Sequence, residues 1–177
     1  MKEKIDVFDY AGKIMKAMKT GILLTTKAGD QVNTMTIGWG VLGIEWAAPI
    51  FTVFVRESRF TRDCLDKNPE FTVNIPMGNF DRKILGIAGS KSGRDLDKIE
   101  ALGLHLEQPE VLSVPGIAEF PLTLECRVVY KQLQDKDVIP QEIQEKFYPQ
   151  DVDGSFPMCN RDFHIAYYGE IVAAYII

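Results

Sequence analysis

Hydrophobic positions along this chain change period several times, and each change predicts an element. From Asp9 to Gly21 they recur at helical spacing, with Tyr10, Ile14 and Met18 on one face, Asp9 placed to cap and Gly21 to stop. At Ile22 the period changes. Residues 22–27 and 31–37 flank an Ala28-Gly29-Asp30 turn and predict a β-hairpin. Pro49 opens a strand over 50–55, so the largely apolar run 37–55 predicts two buried strands joined by a turn. Ser58 is a candidate N-cap for a helix over 59–67 that Asn68-Pro69 ends, and 71–75 reads as another strand. Asn79 can cap a short helix with Ile84, Leu85 and Ala88 inward, while 95–102 predicts a third, closed by Gly103. Residues 122–133 and 163–177 are long, alternating and β-prone. The intervening 134–160, rich in Asp, Gln and Pro, is an excursion from the domain with a helix predicted over 140–148.

Strands outnumber helices, and the helices do not alternate with strands as a parallel α/β sheet requires. The expected fold class is therefore mainly β with peripheral helices, an antiparallel barrel.

Composition sharpens this in a few respects. A chain of 177 residues, 46% hydrophobic and 25% charged, fits a single domain over 1–177 with a sizeable core. Its net charge of -5 argues against a nucleic-acid surface, so any anion site is local. Cys64, Cys126 and Cys159 are odd in number and widely spaced, which indicates reduced, mostly buried thiols and neither a disulfide framework nor a metal site. Charges alternate through Lys2, Glu3, Lys4 and Asp6, with no apolar signal segment, and a cytoplasmic location is expected. The run 37–55 is not expected to span a membrane, because Glu45, three glycines and Pro49 interrupt it and a central carboxylate costs about 2.5 to 3.5 kcal/mol.

Candidate chemistry concentrates in 33–61. Asn33, Thr34, Met35 and Thr36 bring small polar groups, a thioether and backbone amides to one strand edge. Arg56, Ser58, Arg59 and Thr61 stand at a strand-to-helix junction, where free N–H groups and the dipole favour an anion and guanidinium forks hold phosphate. Together they suit a planar ring with a phosphate tail. Gly38, Gly40 and Gly43 spell Gly-x-Gly-x-x-Gly, but Pro49 follows too closely for the helix that a dinucleotide turn needs, so these glycines are expected to permit bends or close approach. Trp39 and Trp46 are expected in the core, and His105, between Leu104 and Leu106, in a structural role.

These segments, in this order, resemble the flavin reductase-like family and its flavoredoxin branch. The resemblance continues through Glu70-Phe-Thr-Val-Asn-Ile-Pro76, the Gly89-Ser-Lys-Ser-Gly-Arg-Asp95 loop with Lys98, and Asp162-Phe-His-Ile-Ala-Tyr-Tyr-Gly-Glu-Ile171. It implies an FMN-binding split β-barrel, usually a homodimer with flavin at the subunit interface. It further implies that residues 33–36 meet the flavin ring and that Ser90, Lys91 and Ser92 make a second contact on the phosphate or ribityl chain. His164, five residues before Gly169-Glu170-Ile171, takes the place of the family's catalytic or nicotinamide-steering histidine, although Phe163 replaces the adjacent acid and Asp162 is displaced by one. The implied activity passes electrons from NAD(P)H through FMN, or less readily FAD, to an acceptor. The alternative is an FMN-carrying electron-transfer protein reduced by a redox protein partner. The apolar run 171–177 suggests a terminus partly covered by a second subunit.

Overall fold

The computed structural model describes residues 2–154 and 159–177. Strand β1 (Glu3–Lys4) and a 3-10 turn (Val7–Tyr10) lead into helix α1 (Ala11–Met18). Asp6, not Asp9, caps this turn, its Oδ1 accepting from Phe8 N (2.9 Å). There follow β2 (Ile22–Ala28), β3 (Gln31–Ile37), β4 (Gly40–Glu45) and β5 (Ala48–Arg56), then α2 (Phe60–Lys67) and β6 (Glu70–Ile75). Helices α3 (Lys83–Ser90) and α4 (Lys98–Leu102) precede the short pair β7 (Leu106–Glu107) and β8 (Gly116–Ile117). The chain closes with β9 (Leu122–Leu133), α5 (Gln141–Phe147) and β10 (His164–Ile176).

The main sheet is antiparallel in the order β3-β2-β6-β9-β10-β5-β4, with β1 beside the end of β10. Its two path ends, β3 and β4, are joined only through Gly38-Trp39, so the barrel is split there rather than closed. Inward residues Ile22, Leu24, Phe51, Val53, Phe71, Val73, Leu124 and Tyr167 form the core, and Ile14 and Met18 of α1 enter it. The opposite face of β2 is buried too, because Leu23 packs in a second cluster with Ile84 and Ala88 of α3, Leu104, Ile117 of β8 and Phe120. That double burial explains why Ile22, Leu23 and Leu24 stand as consecutive apolar residues at the start of β2.

Two turns show the local chemistry. Gly29, at φ +61°, lets Ala28 pair with Gln31 across a two-residue loop. Trp46 and Ala47 both adopt positive φ (51° and 57°) between β4 and β5, a primed turn built without glycine. The 37–55 run is thus a hairpin as expected, but β4 is an exposed edge and not a buried strand. Consequently Trp39 and Trp46 are 41% and 62% exposed rather than in the core, since no layer covers this edge. Gly40 serves close packing: a Cβ there would lie 3.1 Å from Thr52 O and 3.2 Å from the Met18 thioether. His105 is also solvent-exposed, its Nδ1 2.7 Å from Glu119 Oε1. The C-terminal run is less in need of cover than its sequence suggests, because β9, β5 and β1 flank β10 and Tyr175 is fully buried.

Candidate functional site

Strand β3 is an edge strand whose partner on one side is β2, and a trough runs along it. Its first part, about 340 Å³, is lined by Asn33 and Met35 of β3, residues 58–61 at the start of α2, Ala88 and Gly89 of α3, Lys91, Ser92, Gly93, Arg94 and Lys98, with Gly154 and Cys159 of the excursion. Its second part, about 220 Å³, is lined by residues 35–39, Phe54, Arg56, Arg59, Gly89, Asn160 and His164. Met35, Arg59 and Gly89 belong to both, so the two are continuous.

The first part is electropositive in an acidic protein. Arg59, Lys91, Arg94 and Lys98 line it, and no carboxylate does among the described residues. Helix α2 begins here with Arg59, not Ser58, at the N-cap and with no side chain capping its first N–H groups. Asn33 is 3% exposed; its Nδ2 donates to Thr61 Oγ1 (3.0 Å), while Oδ1 has no partner. That oxygen is enclosed, packed against the Gly93 backbone. Gly93 allows the loop to approach: a Cβ there would collide with Asn33 Oδ1 and come within 2.6 Å of Phe60.

Lys98, noted in the sequence beside the 89–95 loop but given no role there, is built into this wall. It is 4% exposed, its Nζ donating to the carbonyls of Ala88 and Lys91 (both 3.2 Å). Burial, reinforced by the Arg59 charge, lowers its pKa to about 8. An ammonium held so near neutrality is ready to be stabilised by an anion. Its signal in the sequence was a lysine four residues before Leu102, on the buried side of a predicted helix.

The cations differ in what they are free to do. Arg94 spans the loop and α2, Nη1 donating to Ser58 O (3.0 Å) and Nη2 to Asp63 Oδ2 (2.6 Å). Arg59 donates from Nη2 to Asn160 Oδ1 (2.9 Å). Arg56 is committed more fully: Nη1 donates to the carbonyls of Asn160 (3.0 Å) and Asp162 (2.5 Å) and Nη2 to that of Phe147 (2.8 Å). It is 8% exposed, and it lines the second part of the trough, not the electropositive one. Its guanidinium clasps the excursion to the barrel.

Of the sequence candidates, Asn33, Met35, Ser58, Arg59, Thr61, Lys91 and Ser92 line the first part, and Thr36, Arg56 and His164 the second. Thr36 uses its hydroxyl to donate to Leu85 O (2.7 Å). Thr34 and Ser90 line neither. The Thr34 hydroxyl turns to the other face of the sheet, 3.0 Å from Thr25 Oγ1, and Ser90 lies exposed at the end of α3. Trp39, expected in the core, instead forms a wall of the second part, 4.9 Å from the His164 ring and 5.3 Å from Phe147.

The chain is a split antiparallel barrel with a cation-lined trough along its open edge, and comparison with known proteins assigns the family. The model of the flavin reductase like domain matches residues 15–177, and the chain belongs to that family. It is 32% identical over 108 residues to an uncharacterized protein of Archaeoglobus fulgidus, covering 61% of this chain and 59% of that protein. An uncharacterized Escherichia coli protein, YddH, is 31% identical over 111 residues, and the chain spans about three fifths of the length of these curated relatives. Among solved structures, flavoredoxin from Methanosarcina acetivorans superposes with a TM-score of 0.62 at 25% identity, over 89% of this chain and 68% of that one. An FMN-binding domain of a flavin reductases-like enzyme from Shewanella baltica shares the fold with a TM-score of 0.64 at 16% identity, over 99% and 77%.

Proposed function

We propose that the trough binds FMN, phosphate in the electropositive part and ring toward Trp39 and His164, and that the protein passes electrons from NAD(P)H through this flavin to an acceptor. The observation that supports this most directly is the run of four cations without a carboxylate, continuous with an aromatic-walled cleft along one strand edge. Lys98, Arg59, Lys91 and the first N–H groups of α2 would hold the phosphate, with Ser58, Thr61 and Ser92 filling its remaining oxygens. Bound FMN supplies two-electron redox chemistry. The protein's part is to place the ring against the reductant, exclude water through Trp39, Met35 and the excursion, and stabilise charge with the nearby arginines.

Among the described residues no second pyrophosphate cradle adjoins the cation-lined part, so FMN is expected to bind better than riboflavin and at least as well as FAD. Titration of flavin-free protein with the three ligands tests this, and equal affinity for riboflavin and FMN refutes the phosphate assignment. Anaerobic mixing of the loaded protein with NADH or NADPH, following the oxidised flavin band, tests the reductase reading. Tight FMN binding without bleaching by either nicotinamide would replace it with an electron carrier fed by a redox protein.

The assembly follows from the edge strand. Val41, Ile44, Trp46, Val129 and Tyr130 are exposed, with Trp46, Tyr130 and Tyr168 in mutual ring contact. A second copy of the chain covering this face gives a homodimer, for which light scattering should show twice the 20.0 kDa chain mass. Among the described residues no helix is long and apolar enough to cross a membrane.

A further inference from the structure

Asp162, two residues before His164, does not support its imidazole. Its Oδ2 accepts instead from Ser58 N (2.7 Å), fixing the entry to α2. The imidazole Nδ1 lies 2.8 Å from the Tyr148 hydroxyl, which is 2.9 Å from Gln134 Oε1. All three groups belong to the excursion or its roots: Gln134 directly follows β9, Tyr148 ends α5 and His164 opens β10. Backbone pairing closes the unit, Gln134 N donating to His164 O (3.0 Å). Tyr148 is held in place by stacking on Phe163 (centroids 4.4 Å apart, 14° between planes) and by the Arg56 guanidinium 5.0 Å from its ring centre.

Donor counting then decides the tautomer. A phenol carries one proton, and with Gln134 Oε1 as its acceptor that proton is committed. Tyr148 can only accept from His164, so Nδ1 carries the imidazole hydrogen and Nε2 keeps a lone pair. Nε2 has no partner among the described residues and is not an enclosed atom, and His164 lines the second part of the trough.

We propose that Tyr148 and Gln134 are positioning residues that hold His164 in the Nδ1–H tautomer, so that it meets a ligand in the trough as a neutral hydrogen-bond acceptor. Charges facing it agree. Burial lowers its pKa to about 4, with Arg56 and Arg59 acting in the same direction and Asp162 against them. A neutral acceptor recognises an N–H donor; resting on the reading above, a carboxamide such as that of a nicotinamide fits. Tyr148 and Gln134 thus act through His164, while Gly154, Cys159 and Asn160 of the same excursion line the trough directly.

The tautomer can be read without any nicotinamide, by long-range proton–nitrogen spectra of the labelled full chain as purified. Only His105 and His164 contribute, and His164→Asn assigns them. The expected His164 signature is a protonated Nδ1 and an unprotonated Nε2, unchanged between pH 5 and 8. Tyr148→Phe should return the ring to the mixed, mainly Nε2–H state of a free imidazole. Gln134→Leu releases the phenol proton to Nδ1 and should give Nε2–H outright. Nε2–H in the unmodified protein, or the same tautomer in it and both variants, overturns the proposal. A protein that shows the Nδ1–H tautomer but leaves NAD(P)H unoxidised overturns only the reductase reading.

Discussion

Replacing Lys98 with methionine separates phosphate binding from folding, because its ammonium is buried and faces the trough. In the free protein the charge costs stability: lowering a lysine pKa from 10.5 to about 8 corresponds to about 3 kcal/mol at 1.36 kcal/mol per unit. Methionine removes that cost but leaves Ala88 O and Lys91 O without this donor, at about 1 to 3 kcal/mol each before local relaxation. The opposing effects largely offset, leaving a net change between about 1 kcal/mol of stabilisation and about 3 kcal/mol of destabilisation, a modest shift in Tm. FMN affinity should fall much further. A charge-assisted hydrogen bond to phosphate contributes about 1.5 to 3 kcal/mol, so Lys98→Met should weaken FMN about ten- to a hundredfold and riboflavin hardly at all. The pH dependence supplies an independent check. Phosphate binding favours the protonated lysine, so affinity in the unmodified protein should decline as pH rises above about 8, and this decline should vanish in Lys98→Met. Isothermal titration with both flavins from pH 7 to 9.5 measures all three effects. Equal losses for FMN and riboflavin, or an unmodified protein whose FMN affinity ignores pH over this range, would place Lys98 away from the phosphate.

Other outcomes follow from the same geometry. Arg56→Ala frees the carbonyls of Phe147, Asn160 and Asp162, so it should loosen the excursion to protease and weaken FMN and riboflavin alike, unlike a phosphate ligand. Gly169→Ala would press a methyl into Phe71 and to 2.8 Å from Cys126 Cβ, lowering thermal stability by about 1 to 3 kcal/mol in a denaturation assay. Because burial keeps His164 neutral when folded, the unfolded chain binds the extra proton between pH 6.5 and about 4, and stability is lost as pH falls through that window. A chemical-denaturation series should show about 3 kcal/mol less of this loss in His164→Asn than in the unmodified protein.

Much of the fold was legible because its elements have strong periods. The hairpin β2–β3, the long strands β9 and β10 and the α5 helix fall within a residue or two of their predicted spans. Cap positions were less so. Asp6 and Asp97 outcompete the neighbouring candidates because only their side chains reach the free N–H groups, a matter of backbone angles and not of residue type. The glycine triplet illustrates the same limit: Gly38, Gly40 and Gly43 satisfy a dinucleotide pattern in letters, yet Gly38 and Gly40 lie against Met18 and Gly43 sits in open space on the edge strand.

Sequence alone determined the strand-rich class, the edge segment at Asn33 and the cationic junction at Arg59, because local pattern and residue chemistry suffice for each. Only the tertiary structure decided which arginine is free, since Arg56 and Arg59 are alike until the excursion folds back and its carbonyls consume one guanidinium. It alone buried Lys98 in the trough wall and exposed Trp39 on an uncovered edge. Hydrogen-bond partners more than a hundred residues apart, such as Arg56 and Asn160, leave no local signature, because only chain closure brings them together.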